Sequence, residues 1–442
     1  MRIEQQLTNF ITDFIHPQIS TNILIAYSGG VDSHVLLYAA AQLRKIFPQM
    51  HLKAIHIHHG LLSGADAWAL HCQQVCHSLN VELQIVNVKV QLNKGDSVEE
   101  AARQARYQAF AKLLPSDSYL LTAHHADDQA ETCLLQFLRG AGLKGLAAMP
   151  MMVPFATGFL ARPFLNTARQ TILTYAGKHQ FCWIEDDSNH DIRFTRNFLR
   201  YKVMPELCKR WPNVNQTIMR VANNCAEADE LLKTLACQDM DIVQGTVDNT
   251  LSVVSMRNLS VVRQKNILRE WLYTQGFLLP SAVKMQHIIT DVINARSDAN
   301  SCVKWRGTEI RRYQDNIYAL KPLLTFNSKI KLTWDCKTEL ELPANLGKLR
   351  CTKVIGKGLR QDCLQQHITI RFRQGGEVCR LPHRHGTHKL KKLFQEWQVP
   401  PWQRDRIPLI YVADELAVIV GYAVCAEFTV HENELGVLFE EV

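Results

Sequence analysis

The hexapeptide Ser28-Gly29-Gly30-Val31-Asp32-Ser33 constrains the fold more than any other part of the chain. Before it stands an apolar run, Ile23-Leu24-Ile25-Ala26-Tyr27, that reads as a buried strand. After it, Val35-Leu36-Leu37-Tyr38-Ala39-Ala40 reads as the start of a helix. Strand, glycine turn and helix in that order aim backbone N–H groups at an anion. Gly29 and Gly30 permit positive φ and let a phosphate approach the main chain. Ser28 and Ser33 add hydroxyl donors, and Asp32 can hold magnesium against phosphate oxygens. No Gly-Lys-Ser/Thr follows, so this is not the Walker pattern.

From residue 22 to about 190, strand-like and helix-like segments alternate. Candidate strands are 23–27, 52–58, 82–88 and 118–122; candidate helices are 32–46, 64–79, 97–113 and 127–138. This alternation predicts an α/β fold, a doubly wound parallel sheet with helices on both faces. The glycine turn then lies at the carboxyl end of the first strand, where such sheets bind ligands. Pro205 and Trp211-Pro212-Asn213 punctuate the end of this part. The stretch from 215 to about 320 reads as mainly helical, with a strand pair, Val303–Arg306 and Glu309–Tyr313, around Gly307. From 326 the apolar period drops towards two, predicting a small α+β domain with a basic helix, HKLKKLFQEW. The expected domains are therefore 1–214, 215–325 and 326–442.

A chain of 442 residues exceeds a single core. Its 47% apolar and 21% charged residues fit a globular protein. No apolar stretch is long enough to span a bilayer, and the N-terminus lacks a signal-peptide layout, so no membrane partner is expected. Thirteen cysteines without a CxxC pair suggest reduced thiols in a cytoplasmic protein. The net charge of +8 suits a polyanion such as RNA but decides nothing alone.

Four further clusters carry chemistry. His56 and His58, in His56-Ile57-His58-His59-Gly60-Leu61, share a strand face; they suit a nucleotide pocket better than zinc, which lacks supporting ligands here. In the stretch from Gly95 to Tyr107, Ser97 and Glu100 form a capping box. Arg103 and Arg106 stand one turn apart, either stabilising phosphate charge or lying on a solvated face. In Thr122-Ala123-His124-His125-Ala126-Asp127-Asp128-Gln129-Ala130-Glu131, one helix face carries Asp128 and Glu131 and can hold a cation, either magnesium or a substrate ammonium. His124 either reaches phosphate or is structural, and Asp127 also suits the helix dipole. Arg196 and Arg200, after Arg162-Pro163-Phe164-Leu165 and Trp183-Ile184-Glu185, form either a phosphate-facing stripe or a solvated one.

SGGVDS resembles the PP-loop of ATP-pyrophosphatases, which split ATP into AMP and pyrophosphate. The ordered set SGGVDS, HIHHGL, GDSVEEAARQARY, LLTAHHADDQAET, RPFL and WIEDDSN with RFTRNFLR resembles the tRNA(Ile)-lysidine synthetase family over about 20–205. The likeness resumes over 367–422, in HITIRFRQGGE, HKLKKLFQEW and VPPWQRDRIPLIY. Leu62 stands where the family usually carries arginine, and Asp187 where proline is usual.

The resemblance implies a ligase. ATP would adenylate the C2 oxygen of the wobble cytidine in a minor isoleucine tRNA with a CAU anticodon. The ε-amine of free L-lysine would then attack C2 and expel AMP. ATP would bind Ser28, Gly29, Gly30, Val31, Asp32 and Ser33, with Asp32 holding Mg2+. Asp128 and Glu131 match the lysine-site carboxylates, and His124, Arg103 and Arg106 match positions near the reacting phosphate. Arg196, Arg200, Lys389, Lys391 and Lys392 would contact tRNA. A homodimer stays open. The rival readings are a PP-loop tRNA cytidine thiolase, which usually needs paired cysteines, and a non-catalytic tRNA-binding protein with a decayed loop.

Overall fold

A computed structural model describes residues 3–15, 20–58, 65–90, 98–185, 190–296, 299 and 301–441. The chain forms two compact units, Met1–Leu232 and Lys233–Val442. Leu62, Asp187, His59 and the Ser97 end of the capping box lie outside the described residues.

The first unit contains strands β1 (Thr21–Ala26), β2 (Met50–His58), β3 (Glu82–Asn87), β4 (Tyr119–Leu121), β5 (Met152–Phe155) and β6 (Gly158–Ala161). Their order is β3-β2-β1-β4-β6-β5, parallel throughout except for the edge strand β5. Helices α1 (Ile3–Phe10), α2 (Val31–Leu43), α3 (Ala65–Ser78), α4 (Val98–Leu113) and α5 (Ala126–Leu138) precede or connect them. After these come α6 (Leu143–Leu146), α7 (Arg169–Lys178), α8 (Thr195–Phe198), a π-helical turn (Leu199–Val203), α9 (Met204–Arg210) and the start of α10 (Val214–Val243), whose last residues belong to the second unit. The doubly wound sheet is the one the alternation predicts.

The strand period of two explains the layers. On β1, Ile23 and Ile25 join the core made with Ile3, Leu7, Leu36 and Ile172 from α1, α2 and α7. Leu24 points the other way, into the core with Phe110, Leu114, Leu120 and Leu160. A central strand buried on both faces reads as continuous apolar sequence, as 23–27 does. Because β1 lies between β2 and β4, the chain leaves it towards one edge and later fills the other. The crevice where strand order reverses is therefore bounded by the carboxyl ends of β1 and β4, a site available to ligands.

In the second unit, helices Val261–Thr274 and Ala282–His287 pack on a four-stranded antiparallel sheet through Ile267, Leu268, Trp271 and Met285 against residues such as Ile310. The expected strand pair is present as Cys302–Trp305 and Thr308–Tyr313, and Asn316–Leu320 and Leu251–Ser252 extend it. Further along, short strands surround cores containing Ile370, Ile410 and Phe439, and Leu390, Leu393 and Phe394 of the basic helix Leu390–Glu396. Within this unit, Arg404 donates to Tyr313 Oη at 2.9 Å, and the Arg311 guanidinium lies 5.3 Å from the Trp402 ring.

One expectation changes. Cys379 and Cys425 are paired as a disulfide, with Cα atoms 5.8 Å apart, whereas all thirteen thiols read as reduced. Their separation of 46 residues carries no motif; folding of one core brings them together. Among the described residues, no helix is long and apolar enough to cross a membrane.

His34 on α2 stacks on Phe181 with centroids 4.5 Å apart and planes 4° from parallel. Burial, then the neighbouring His71, lowers its pKa to about 4 against an opposing hydrogen bond at Cys182. A depressed histidine contributes stability that is complete above its unfolded value near 6.5 and is lost as pH falls towards 4, at ~1.4 kcal/mol per unit of difference. The melting temperature should therefore fall over that window. His34→Phe should flatten the fall; identical pH slopes for the two proteins would refute the assignment.

Candidate active site

The loop after β1 organises itself. Gly29 adopts φ +88°, which an L side chain rarely does, and a Cβ there would meet Cys72 Sγ at 3.1 Å. Gly30, by contrast, is extended at φ −78° and forms the N-cap of α2. Only the first glycine therefore uses its left-handed freedom. The Ser33 hydroxyl donates to Gly30 O at 2.9 Å and accepts the Ser28 N–H at 3.2 Å. With that proton committed, the 3.0 Å contact between the two hydroxyls is a bond donated by Ser28. The serines thus hold the loop's shape, whereas the sequence pattern suggested phosphate donors. Ile184 N–H donates to Gly29 O at 3.1 Å and steadies the loop from outside.

Asp32, in the first turn of α2, comes within 3.8 Å of Nε2 of His125, the N-cap of α5. Its carboxyl pKa is raised by burial, against the lowering influence of His125 and Arg169. Its Oδ1 is buried without a hydrogen-bond partner. A lone hard oxygen beside an anion-binding turn fits magnesium, which takes one or two carboxylates and fills its shell with phosphate and water.

α5 brings its acids to the same place. His125 is its N-cap: its side chain accepts the Asp128 N–H at 3.3 Å, while Asp128 Oδ2 accepts the His125 N–H at 3.0 Å. Because Nδ1 accepts, the imidazole proton belongs on Nε2. Nε2 lies 3.3 Å from Asp128 Oδ2 and 3.8 Å from Asp32 Oδ2. His125 therefore stands between the loop's acid and the helix's acid, a placement hidden in the sequence, where it reads only as the neighbour of His124. Asp127 ties three helices together, accepting the Arg169 N–H at 2.8 Å and Asn215 Nδ2 at 2.5 Å.

The largest departure concerns Arg196 and Arg200. Their spacing suggested a phosphate-facing stripe, yet both guanidinium groups bind the buried acid pair. Asp128 Oδ1 receives Nη2 of Arg196 at 3.0 Å and of Arg200 at 2.7 Å. Glu131 receives Nε of Arg196 at 3.1 Å and of Arg200 at 2.7 Å. Two carboxylates only 8% and 3% exposed need counter-charges, and these arginines supply them. Burial pushes the Asp128 carboxyl up, but His125, Arg196, His124 and Arg200 outweigh it and hold the pKa at about 2. Burial opposes the Arg200 charge, and Glu131 and Asp128 more than compensate, pushing its pKa up. A π-helical turn, Leu199–Val203, contains Arg200; such turns recur at functional sites.

His124 Nδ1 lies 2.9 Å from Thr122 Oγ1. Burial, together with Arg162, Arg196 and Arg103, overrides Asp128 and lowers its pKa to about 3. It is thus a neutral imidazole at pH 7, able to orient a ligand but not to supply charge. Arg103 is exposed, 4.8 Å from the Tyr107 ring, and close enough to act on His124. Arg106 is also exposed on α4. His56 is buried and bonded to Tyr27 O at 3.0 Å, so it braces β1; His58 pairs with Asp66 at 3.1 Å. Among the described residues, no group of three or more His, Cys, Asp or Glu is placed to hold a metal ion. In the second unit, Lys389, Lys391 and Lys392 are exposed on or beside the basic helix.

Comparison with known proteins finds matches along most of the chain. Residues 1–207 match the PP-loop domain, 251–318 the TilS substrate binding domain, and 368–440 the TilS substrate C-terminal domain. A tRNA(Ile)-lysidine synthase of Coxiella burnetii is 44% identical over 98% of this chain and 95% of that protein. The chain belongs to the tRNA(Ile)-lysidine synthase family. Relatives bearing the same name from Yersinia pseudotuberculosis and Histophilus somni are 38% and 39% identical, over 98% and 96% of this chain and 97% and 99% of theirs.

Within this family frame, the paired arginines have a measurable consequence. Arg200→Met should destabilise the first unit by about 3 kcal/mol at pH 7, because a buried carboxylate loses a partner. Asp128, with its depressed pKa of about 2, contributes stability that is complete above the ordinary value near 4 and fades as pH falls towards 2. Urea unfolding should therefore show a smaller gap between the two proteins at pH 2.5 than at pH 7. An equal gap would count against the charge pairing.

Proposed function

We propose that this protein ligates L-lysine to C2 of the wobble cytidine of tRNA(Ile) with a CAU anticodon, driven by ATP and releasing AMP and pyrophosphate. The observation that carries this reading is the meeting of Asp32, at the glycine turn, with the Asp128/Glu131 pair where strand order reverses, in a chain of this family. The reaction needs both places: one to grip the triphosphate, one to receive the amino acid.

Backbone N–H groups of Ser28–Ser33 orient the triphosphate at the start of α2. Asp32 would hold magnesium through its unpartnered oxygen. When bound, magnesium offsets the charge that collects on the departing pyrophosphate. Arg103 supplies positive charge near the reacting phosphate, and neutral His124 directs a hydrogen bond rather than a charge. Arg106 keeps the same role in outline, one turn further along α4. The lysine site is the Asp128/Glu131 region, framed by Arg196 and Arg200. Lys389, Lys391 and Lys392 contact tRNA phosphates, a sequence-independent grip.

The boundaries near 214 and 325 belong to the same proposal, with tRNA contact assigned to the two later parts. The protein acts in the cytoplasm, where its polyanionic substrate resides. The site draws on one chain, so the reading needs no second copy. Sulfur transfer is not favoured, since the sequence has no CxxC pair.

Isoleucine tRNA incubated with the protein, ATP and lysine should yield lysidine by nucleoside mass spectrometry. Asp32→Ala should abolish the product and leave tRNA affinity nearly unchanged; equal loss of both would indicate misfolding instead. Replacing Lys389, Lys391 and Lys392 with Gln should weaken tRNA binding and reduce the salt slope by roughly one for each phosphate no longer neutralised. An unaltered slope would remove these lysines from the interface.

A further inference from the structure

β6 ends in the turn Arg162-Pro163-Phe164-Leu165, and Arg162 is a deeply buried cation, only 6% exposed. Its backbone is fixed from both sides, the N–H donating to Met151 O at 2.8 Å and the carbonyl accepting the Leu165 N–H at 3.2 Å. Within its guanidinium, Nη1 donates to Pro150 O at 2.7 Å, while Nε is buried with no hydrogen-bond partner. Arg196 and Arg200 are less buried, yet each pairs with both Asp128 and Glu131. Among the described residues, no carboxylate pairs with Arg162. A guanidinium stays protonated, so this charge cannot be shed by titration. Buried charges are ordinarily paired, and the described chain supplies no acid for this one.

The position of Arg162 narrows what can answer it. Thr122 N–H donates to Ala161 O at 3.0 Å, which sets the ends of β4 and β6 level. Arg162 therefore leaves β6 where His124 leaves β4, and its charge helps hold His124 neutral. From α4, Tyr107 hydrogen-bonds Arg162, and the Arg103 guanidinium lies 4.8 Å from the Tyr107 ring. Burial lowers the Arg162 pKa; Tyr107 opposes that and Arg103 adds to it. The acid that acts on His124, Asp128, is already bound by Arg196 and Arg200. Two further cations beside a neutral imidazole therefore attract an anion. Tyr107 is half-buried and Arg103 exposed, so the approach passes side chains that solvent already reaches. A guanidinium fork also matches the paired oxygens of a phosphoryl group.

We propose that Arg162 binds a phosphoryl oxygen of the substrates beside the end of β4, with Arg103 as the second cation on the same group. This rests on the lysine-ligase reading and deepens it, adding a phosphate contact from the turn after β6. Two phosphates share the required chemistry. One is the α-phosphoryl group of ATP: its phosphorus bonds the cytidine C2 oxygen as the bond to the bridging oxygen breaks, and pyrophosphate carries that oxygen away. The other is the backbone phosphate beside the wobble nucleotide.

Formation of adenylated tRNA from ATP labelled in its α-phosphate, without lysine, isolates the first half-reaction. If the partner is the α-phosphoryl group, Arg162→Met should slow this step by about 100-fold or more at saturating substrates, the usual cost of losing one donor to a reacting oxyanion. If the partner is the backbone phosphate, tRNA should instead bind more weakly, with its salt slope reduced by about one. Arg162→Ala separates charge from packing: guanidinium, added far below denaturing concentrations, should restore the lost rate or affinity, and uncharged urea of the same shape should not. Recovery by guanidinium also shows that the variant is folded. Arg162→Lys keeps a charge in place and tests the fork; it should lose part of the same rate or affinity. The proposal is overturned by unchanged adenylation together with unchanged tRNA affinity, by a loss confined to the KM for lysine, by equal rescue with urea, or by an Arg162→Lys protein that is fully active but melts at a lower temperature. If the unaltered protein adenylates no tRNA, the ligase reading itself fails, before any variant is compared.

Discussion

Two buried carboxylates on α5 set the terms for the rest of the site. Asp128 and Glu131 lie where β4 ends, and solvent cannot stabilise them there. An unpaired charge at such depth would shift its pKa and neutralise. The segment from 195 to 210 therefore closes over α5 with Arg196 and Arg200, and Asp127 adds hydrogen bonds to α7 and α10. Several elements distant in sequence are held by one cluster of acids.

The same cluster joins the glycine turn after β1 to the start of α5. His125 accepts the Asp128 amide N–H on one side and turns Nε2 towards Asp32 on the other, so the loop's acid and the helix's acid share one imidazole. Neighbouring His124 caps nothing and is held neutral at pH 7 by burial among arginines. Two adjacent histidines of one motif thus have different surroundings, one between acids and one buried among arginines beside Thr122. The serines of SGGVDS behave alike in being turned inward, so the anion-binding capacity of the loop rests on its backbone N–H groups and the dipole of α2.

Much of the architecture is legible from local pattern. β1 to β4 and α2 to α5 lie close to their predicted positions, because a doubly buried strand must be apolar throughout and its connecting helices amphipathic. The PP-loop and the acid pair were visible because glycine freedom and carboxylate spacing are properties of a few consecutive residues. The partners of Arg196 and Arg200 were not visible. Helical spacing shows only that two side chains share a face, and the face across from them is some 65 to 72 residues away. The Cys379–Cys425 pair was hidden for the same reason.

From the residues alone came the order of strands and helices, the glycine turn, the candidate acids and the likeness to a family of tRNA ligases. These follow from short-range sterics and periodicity, which a linear chain records directly. Which charges neutralise which, which histidine stands between Asp32 and Asp128, and which buried polar atoms are left without a partner became definite only when the chain closed on itself. Electrostatic pairing and burial depend on distance in space, and sequence separation carries almost none of that information.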